Sequence, residues 1–252
     1  MLEVIKHDTI HELRLAHPPV NAFDGGLIRA LRRAVESAPA QGAHAVVISG
    51  RSGMFSGGLD VPALMSLDRS GMAALWADFL GLWRAVAASP VPTVAAITGH
   101  SPAGGMVVSL FCDYRIMARG AFRIGLNEVQ VGLVVPPVIQ AALRRLVGSH
   151  RAERLMVAGA LLESEQALAV GIVDELIDTE LVVGRAIAWL QELLKLPAQA
   201  MRETRRIARA DLVALFDDDS DATGSDFVDH WFSTEAQSVL GALVARLRSK
   251  SG

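Results

Sequence analysis

Glu128 is the residue whose type and surroundings best suit chemistry in this sequence. It ends the segment 124–128, which reads Ile-Gly-Leu-Asn-Glu, and a long apolar stretch follows it. If its side chain faces an apolar pocket, loss of hydration raises the pKa of the carboxyl group towards that of a useful general base. Because a glutamate in a loop is more often a surface charge or a salt-bridge partner, Glu128 alone does not establish a site.

Two glycine-rich turns supply candidate hydrogen-bond donors. The first spans residues 54–60 and the second spans residues 99–106, and each follows a predicted buried strand. Glycines allow successive backbone N–H groups to point into one concavity, and the start of a helix presents free N–H donors. Each turn taken alone is also compatible with an ordinary strand-to-helix connection. Together they could direct two donors at one carbonyl oxygen, forming an oxyanion hole.

The second turn also permits a different interpretation. Residues 99–103, which read Gly-His-Ser-Pro-Ala, nearly match the Gly-x-Ser-x-Gly elbow that presents a nucleophilic serine in α/β-hydrolases. Ser101 would then need a downstream acid and a downstream histidine, for which His150 and His230 are the candidates. Since the last elbow position is Ala103 rather than glycine, this hydrolase interpretation is the weaker one.

These segments are positioned by a predicted α/β core. Alternating and apolar runs predict strands at residues 2–6, 10–15, 43–49, 92–98, 114–118, 122–124 and 173–177. Apolar residues at helical spacing predict helices at residues 23–35, 72–88, 138–147, 151–158, 180–194, 198–213 and 226–248. Thr234 is predicted to cap the last helix, and the acidic run 217–221 is predicted to be a solvated loop.

Composition excludes several classes of protein. The chain has 252 residues, 51% hydrophobic content and a net charge of −3, so it has no basic surface for nucleic acid or an anionic membrane. Its longest apolar runs fall short of the ~20 residues that a membrane-spanning helix needs. The N-terminus resembles neither a signal peptide nor a transit peptide, and no metal-ligand cluster is visible. We expect a cytoplasmic protein whose single cysteine, Cys112, is a buried and unreactive thiol.

The sequence resembles the crotonase superfamily of enoyl-CoA hydratases and isomerases. The matching segments occur in the order typical of the superfamily and cover most of residues 1–195. They are residues 17–22, 55–60, 102–105, 112–116, 124–128 with 132–133, 151–154 and 167–174. Within the superfamily the likeness is greatest to the mitochondrial-type Δ3,Δ2-enoyl-CoA isomerases, which share the Pro-Ala-Gly-Gly and Ile-Gly-Leu-Asn-Glu segments.

The resemblance implies an architecture and a set of site residues. It implies a crotonase-like ββα spiral core over residues 1–195 and a C-terminal helical oligomerisation region over residues 196–252, assembled as a homotrimer or a dimer of trimers. It implies Glu128 as the catalytic base and the N–H groups of Gly57 and Gly104 as the oxyanion hole. The residues that it places beside the acyl-CoA substrate are Ser56, Gly58, Leu59, Asp60 and Asn127.

One departure from the superfamily pattern narrows the expected activity. Typical hydratases carry a second glutamate three residues beyond the oxyanion glycine of the second turn, and this sequence has Val107 there. Adding water commonly uses two carboxylates, whereas moving a proton between carbons needs one base. The resemblance therefore implies isomerisation of 3-enoyl-CoA to trans-2-enoyl-CoA, in fatty acid metabolism, with CoA entering only as part of the substrate. Another crotonase-type chemistry, such as hydration, and a non-enzymatic CoA-binding role stay open.

Overall fold

The computed structural model describes residues 1–217 and 225–251. Its strands are β1 (Leu2–His7), β2 (Ile10–Leu15), β3 (Ala45–Ser49), β4 (Gly53–Met54), β5 (Thr93–Ile97), β6 (Gly99–Pro102), β7 (Tyr114–Ala118), β8 (Arg123–Gly125), β9 (Leu162–Glu163) and β10 (Glu175–Ile177). Its helices are α1 (Gly25–Ser37), α2 (Val61–Leu64), α3 (Arg69–Ala87), α4 (Gly104–Leu110), α5 (Pro137–Val147), α6 (Ser149–Val157), α7 (Ser164–Val170), α8 (Val182–Leu193), α9 (Ala198–Ala208), α10 (Ala210–Ala214), α11 (Ser225–Trp231) and α12 (Thr234–Ser251). Of the acidic run at 217–221, only Asp217 lies within the described residues.

A six-stranded sheet forms the larger layer, in the order β1-β2-β3-β5-β7-β10. The predicted hairpin is confirmed as the antiparallel pair β1–β2, and each remaining pair is parallel. Strands β3 and β5 are buried along their whole length because helices cover both faces of the sheet. Helix α8 covers one face through Val182, Ala186 and Leu190. Helices including α1, α3 and α4 pack on the other face and enclose the main core.

A second, four-stranded sheet has the order β4-β6-β8-β9. Strands β4, β6 and β8 are parallel, and β9 pairs antiparallel with β8. The sequence predicted only β8 of this sheet. Its other strands have between two and four residues, too few for a periodic pattern to mark them.

Three of the C-terminal helices, α10, α11 and α12, contribute to the main core. Leu212, Trp231 and Leu240 are buried in the same apolar cluster as the helices that cover the large sheet. Two predicted helices are interrupted: residues 198–213 form α9 and α10, and residues 226–248 form α11 and α12. The predicted cap at Thr234 is wrong by one residue, because the Ser233 hydroxyl accepts a hydrogen bond from the Ala236 N–H at 3.2 Å.

Candidate active site

The small sheet brings the two glycine turns and the segment that contains Glu128 to one edge. Parallel pairing sets Met54 opposite His100 and Pro102 opposite Gly125. The first glycine turn therefore leaves β4, the second leaves β6, and the segment with Glu128 leaves β8, all at the carboxyl ends of neighbouring parallel strands. Such an edge is where open α/β sheets commonly bind ligands.

Asn21 holds the first turn in place. It is fully buried, and its side chain donates to the Phe55 carbonyl at 3.0 Å, while its own carbonyl accepts from the Ser56 hydroxyl at 2.8 Å. The Ser56 Oγ in turn accepts from the Gly58 N–H at 3.1 Å. Ser56 therefore shapes the turn from below and is not among the residues that line the cavity. The cavity lining thus gives no support to the expectation that Ser56 borders the substrate, which stays a prediction.

The backbone donors of the first turn differ from the sequence-based expectation. The Gly57 N–H already donates to the Val20 carbonyl at 2.7 Å, so it is not free to form an oxyanion hole. Leu59 lines the cavity, and its N–H has no hydrogen-bond acceptor among the described residues. Asp60 does not line the cavity. Its carboxylate instead accepts a hydrogen bond from the Ala63 N–H at 3.0 Å and caps α2. The free donor of this turn is thus Leu59.

The second turn presents the Gly104 N–H at the start of α4. Gly104 lines the cavity, and its N–H has no acceptor among the described residues. Ala103, just before it, has φ 45° and ψ −119°, a conformation that costs a non-glycine residue about 1–3 kcal/mol. Its N–H donates to the Gly125 carbonyl at 2.8 Å, which fixes the turn against β8.

The two turns touch each other. Gly58 has φ 88°, and a Cβ added there would lie 3.2 Å from the Ala103 Cβ and 3.6 Å from the Gly104 nitrogen. Gly58 does not line the cavity itself. Its left-handed conformation and lack of a side chain allow this contact, which brings the Leu59 and Gly104 donors together.

Glu128 lines the same cavity as these donors. Its Oε2 is covered and has no hydrogen-bond donor among the described residues. Burial raises the pKa of its carboxyl group to about 7, and its own backbone N–H opposes the increase. Asn127 also lines the cavity, and its Oδ1 is covered without a partner. A carboxyl group with such a pKa can accept and return protons near neutral pH.

The cavity has a volume of about 370 Å³ and is mostly apolar. Glu128 is the only carboxylate among the described residues that line it. Val107, one turn into α4 from Gly104, lines the wall with only 1% of its surface exposed. No second acid from another loop in the described part of the chain fills the position that Val107 leaves apolar.

The structure also bears on Ser101, the candidate nucleophile, and on Cys112, which was expected to be buried and unreactive. Ser101 is fully buried, does not line the cavity, and has no hydrogen-bond partner for its Oγ. The downstream histidines His150 and His230 are both exposed, so the hydrolase interpretation is wrong. Cys112 is buried as expected, and burial raises the pKa of its thiol to about 12, which keeps the sulfur protonated.

The family model for enoyl-CoA hydratase/isomerase matches residues 6–237. The chain belongs to the enoyl-CoA hydratase/isomerase family. It is therefore an acyl-CoA enzyme of the crotonase superfamily, and the predicted mixed α/β crotonase fold is confirmed. The candidate site lies at one edge of the small sheet within the fold that this family shares.

Individual relatives of this family member include both isomerases and hydratases. The chain is 31% identical over 243 residues to the human mitochondrial enoyl-CoA delta isomerase 1, covering 95% of this chain and 80% of the relative. It is 32% identical over 209 residues to a probable enoyl-CoA hydratase of Mycobacterium avium, covering 81% and 78%.

Solved structures of the family agree with the fold. The crystal structure of human mitochondrial Δ3-Δ2-enoyl-CoA isomerase superposes with a TM-score of 0.93 at 29% identity, over 100% of this chain and 99% of that one. An enoyl-CoA hydratase from Mycobacterium ulcerans superposes with a TM-score of 0.83 at 27% identity, over 90% and 99%.

Sequence reasoning assigned Leu59 to the substrate border and missed it as a donor. The signal lay in the backbone rather than in residue types, because the hydrogen bond between Gly57 and Val20 decides which N–H is free. The aromatic residues of α3 that line the cavity, Trp76, Phe79 and Trp83, show an ordinary apolar helical pattern in the sequence and could equally have been core.

Proposed function

We propose that this enzyme isomerises 3-enoyl-CoA thioesters to trans-2-enoyl-CoA. The observation that carries the proposal is that Glu128 is the single carboxylate among the described residues that line the cavity, while the apolar Val107 also lines it. One base can remove a proton and return it elsewhere, whereas hydration commonly uses a second carboxylate to handle the water. The human relative at 31% identity is named as an isomerase, which supports the same choice.

In this mechanism the thioester oxygen accepts hydrogen bonds from the Leu59 and Gly104 N–H groups. Negative charge grows on that oxygen as Glu128 removes a proton from C2 of the substrate. The electron pair of the broken C2–H bond forms the C2–C3 double bond, and the former C3–C4 π electrons bind the proton that Glu128 returns to C4. Removing one oxyanion donor typically costs about 2.7–4 kcal/mol in the transition state.

The remaining walls assist this transfer by excluding water. Leu64, Phe79 and Leu133 are nearly fully buried and line the cavity. A water-poor site strengthens hydrogen bonds to the developing charge and limits loss of the proton to solvent. CoA takes part only as a portion of the substrate, and no resident metal or cofactor enters the mechanism.

The direct test compares two reactions of the purified enzyme. We expect it to isomerise 3-hexenoyl-CoA and to hydrate crotonyl-CoA slowly or not at all, both followed by absorbance of the conjugated thioester. Hydration as fast as isomerisation would contradict the role given to Val107 and favour a hydratase, the activity named for the M. avium relative.

We also propose that the protein assembles as a homotrimer or a dimer of trimers. Helix α9 has no buried residue although it is strongly amphipathic, and Ile207 on it is 61% exposed. A large apolar residue left exposed on such a helix is compatible with an interface. The boundary between residues 195 and 196 as the start of an oligomerisation region stays a prediction. Sedimentation as a stable monomer would contradict the assembly.

The cytoplasmic location predicted from the sequence also stays a prediction. No helix in the described part of the chain is long and apolar enough to cross a membrane. The human, rat and mouse relatives are named as mitochondrial proteins.

A further inference from the structure

The cavity that contains Glu128 has a covered end and an open end. Trp76, Phe79 and Trp83 of α3 line it with only 2–3% of their surfaces exposed. In contrast, Val134 is 46% exposed and Leu247 is 42% exposed. Pro62, Gln130 and Arg246 also line the cavity and are exposed, so these residues mark its solvent side and the aromatic residues form its covered part.

This asymmetry orients an acyl-CoA thioester, if the proposed function is correct. CoA carries several phosphate charges, which are expensive to bury in an apolar cavity. Arg246, next to Leu247, is exposed and is the only cationic residue among the described residues that line the cavity. The nucleotide therefore stays at the open end, and the hydrocarbon tail beyond C4 points to the covered end.

The covered end is a wall of interlocked rings. The Trp76 and Trp83 rings meet edge to face with their centroids 5.4 Å apart. The centroids of the Phe79 and Trp83 rings are 5.2 Å apart. Phe79 also packs against Phe23 in the core at 5.9 Å. Rings fixed on several sides in a close-packed core cannot move aside for a longer chain. The α3 part of the wall is therefore rigid.

Phe227 completes this wall from a different element. Its ring stacks on Trp76 with centroids 4.0 Å apart and an angle of 14° between the planes. It lines the cavity and is half-buried, whereas Trp76 is only 3% exposed. Removing this ring would take away the least buried part of the aromatic wall, whereas removing an α3 ring would disturb the core.

We propose that Phe227 closes the acyl end of the cavity and limits the length of the acyl chain that the enzyme accepts. The cavity volume of about 370 Å³ lies near the lower end of the ~300–1,000 Å³ common for small-molecule sites, which favours short acyl chains. Phe227 is a specificity-determining residue in this proposal and takes no part in proton transfer.

The experiment measures kcat/KM for 3-hexenoyl-CoA and 3-dodecenoyl-CoA with the parent enzyme and with Phe227→Ala. We expect the parent to prefer 3-hexenoyl-CoA. The ratio of kcat/KM for 3-dodecenoyl-CoA to kcat/KM for 3-hexenoyl-CoA should rise tenfold or more in Phe227→Ala. The reason is that each methylene that a pocket accepts or rejects changes kcat/KM by about tenfold or more. Phe227→Leu should give a smaller rise and serves if the alanine variant fails to fold.

Phe232→Ala is the matched control. Phe232 is also half-buried and follows α11 directly, but it lies against Arg69, 5.4 Å from the guanidinium carbon, and does not line the cavity. In Phe232→Ala the ratio of kcat/KM for the two thioesters should differ from the parental ratio by less than about threefold. If the folded Phe227 variants keep the parental ratio, the proposal is overturned. If the parent isomerises neither thioester, the proposed function itself fails, which is a different result.

Discussion

A base that accepts a proton near neutral pH needs a pKa close to 7, and burial raises the pKa of Glu128 to about 7. Because the base is active only as the carboxylate, kcat/KM for isomerisation should rise as pH increases through about 7 and then level off. A pH profile with 3-hexenoyl-CoA measures this directly. A rate that is constant between pH 5 and pH 8 would show that another group accepts the proton.

The same raised pKa has a cost in stability. The folded-state pKa of Glu128 exceeds its ordinary value of 4.5, so its contribution to stability is largest at low pH and is lost as pH rises towards 7. A shift from 4.5 to about 7 corresponds to at most about 3 kcal/mol. Glu128→Gln should therefore increase the free energy of unfolding at pH 8 by up to about 3 kcal/mol.

Urea denaturation of parent and Glu128→Gln checks this prediction. The difference should shrink towards zero as pH falls to 4.5, where the parent is protonated when folded and half-protonated when unfolded. A gain of equal size at both pH values would instead indicate better packing by the glutamine.

At this scale the sequence indicated Glu128 and the Gly104 N–H, which both belong to residues that line the cavity, but not the Leu59 donor. Glu128 could be found because its type and apolar flanks carry the signal. The exchange of Gly57 for Leu59 as a donor could not, because it depends on where the Val20 carbonyl lies after folding. A residue's backbone partner is a property of the folded chain, which no local spacing encodes.

At the scale of elements, helix α12 contributes to the open end of the cavity. Arg246 and Leu247 on it line the cavity, and Ala236, near its start, packs against Gly132 in the loop after Glu128. The cation at this end is suited to the phosphates of CoA, although an exposed ion pair is worth at most about 1 kcal/mol. α12 is thus part of the site as well as of the C-terminal region.

Arg246→Ala should raise KM for 3-hexenoyl-CoA a few-fold and leave kcat unchanged. The N-acetylcysteamine thioester of the same acid lacks the phosphates, so its KM should not change. Arg248→Ala is the control, since Arg248 is also exposed on α12 but does not line the cavity. Equal effects of Arg246→Ala on both thioesters would contradict the assignment of this end to the nucleotide.

Long periodic elements were the ones that the sequence predicted well. The helical stripe Leu27, Ile28, Leu31 and Val35 is buried in α1, and Asp24 caps that helix by accepting from the Leu27 N–H at 2.7 Å. Of the small sheet only β8 was predicted, since β4 and β9, for example, have two residues each and are defined by pairing alone. The sheet that assembles the site was thus the less predictable of the two.

At the scale of the whole molecule, Asp113 fastens the C-terminal helices to the core. Its carboxylate accepts from Arg205 at 2.8 Å and from Arg209 at 2.9 Å. Burial alone would raise the pKa of Asp113, but these two guanidinium groups outweigh it and hold the pKa below its ordinary value. Arg209, between α9 and α10, also donates to the carbonyls of Ala87 and Phe111, which joins the start of α10 to the ends of α3 and α4.

Asp113→Ala should lower the free energy of unfolding by about 3–5 kcal/mol, because it leaves two largely buried guanidinium groups without a counter-charge. Urea denaturation measures the loss. Asp211→Ala provides the comparison: Asp211 pairs with Arg145 at 2.8 Å, but its side chain is 65% exposed. Its loss should cost less than about 1 kcal/mol. Similar costs for both variants would contradict the fastening role of Asp113.

The proposed isomerisation depends on one base in one apolar cavity, and the rate of Glu128→Gln tests that dependence most directly. Glutamine keeps the shape of the side chain but cannot accept the C2 proton. Glu180→Gln, the same change at an exposed site away from the cavity, is the control. With 3-hexenoyl-CoA we expect Glu128→Gln to lose at least a hundredfold in kcat, since a positioned base is worth ~10²–10⁴, and Glu180→Gln to match the parent. Isomerisation by Glu128→Gln at the parental rate would contradict the account.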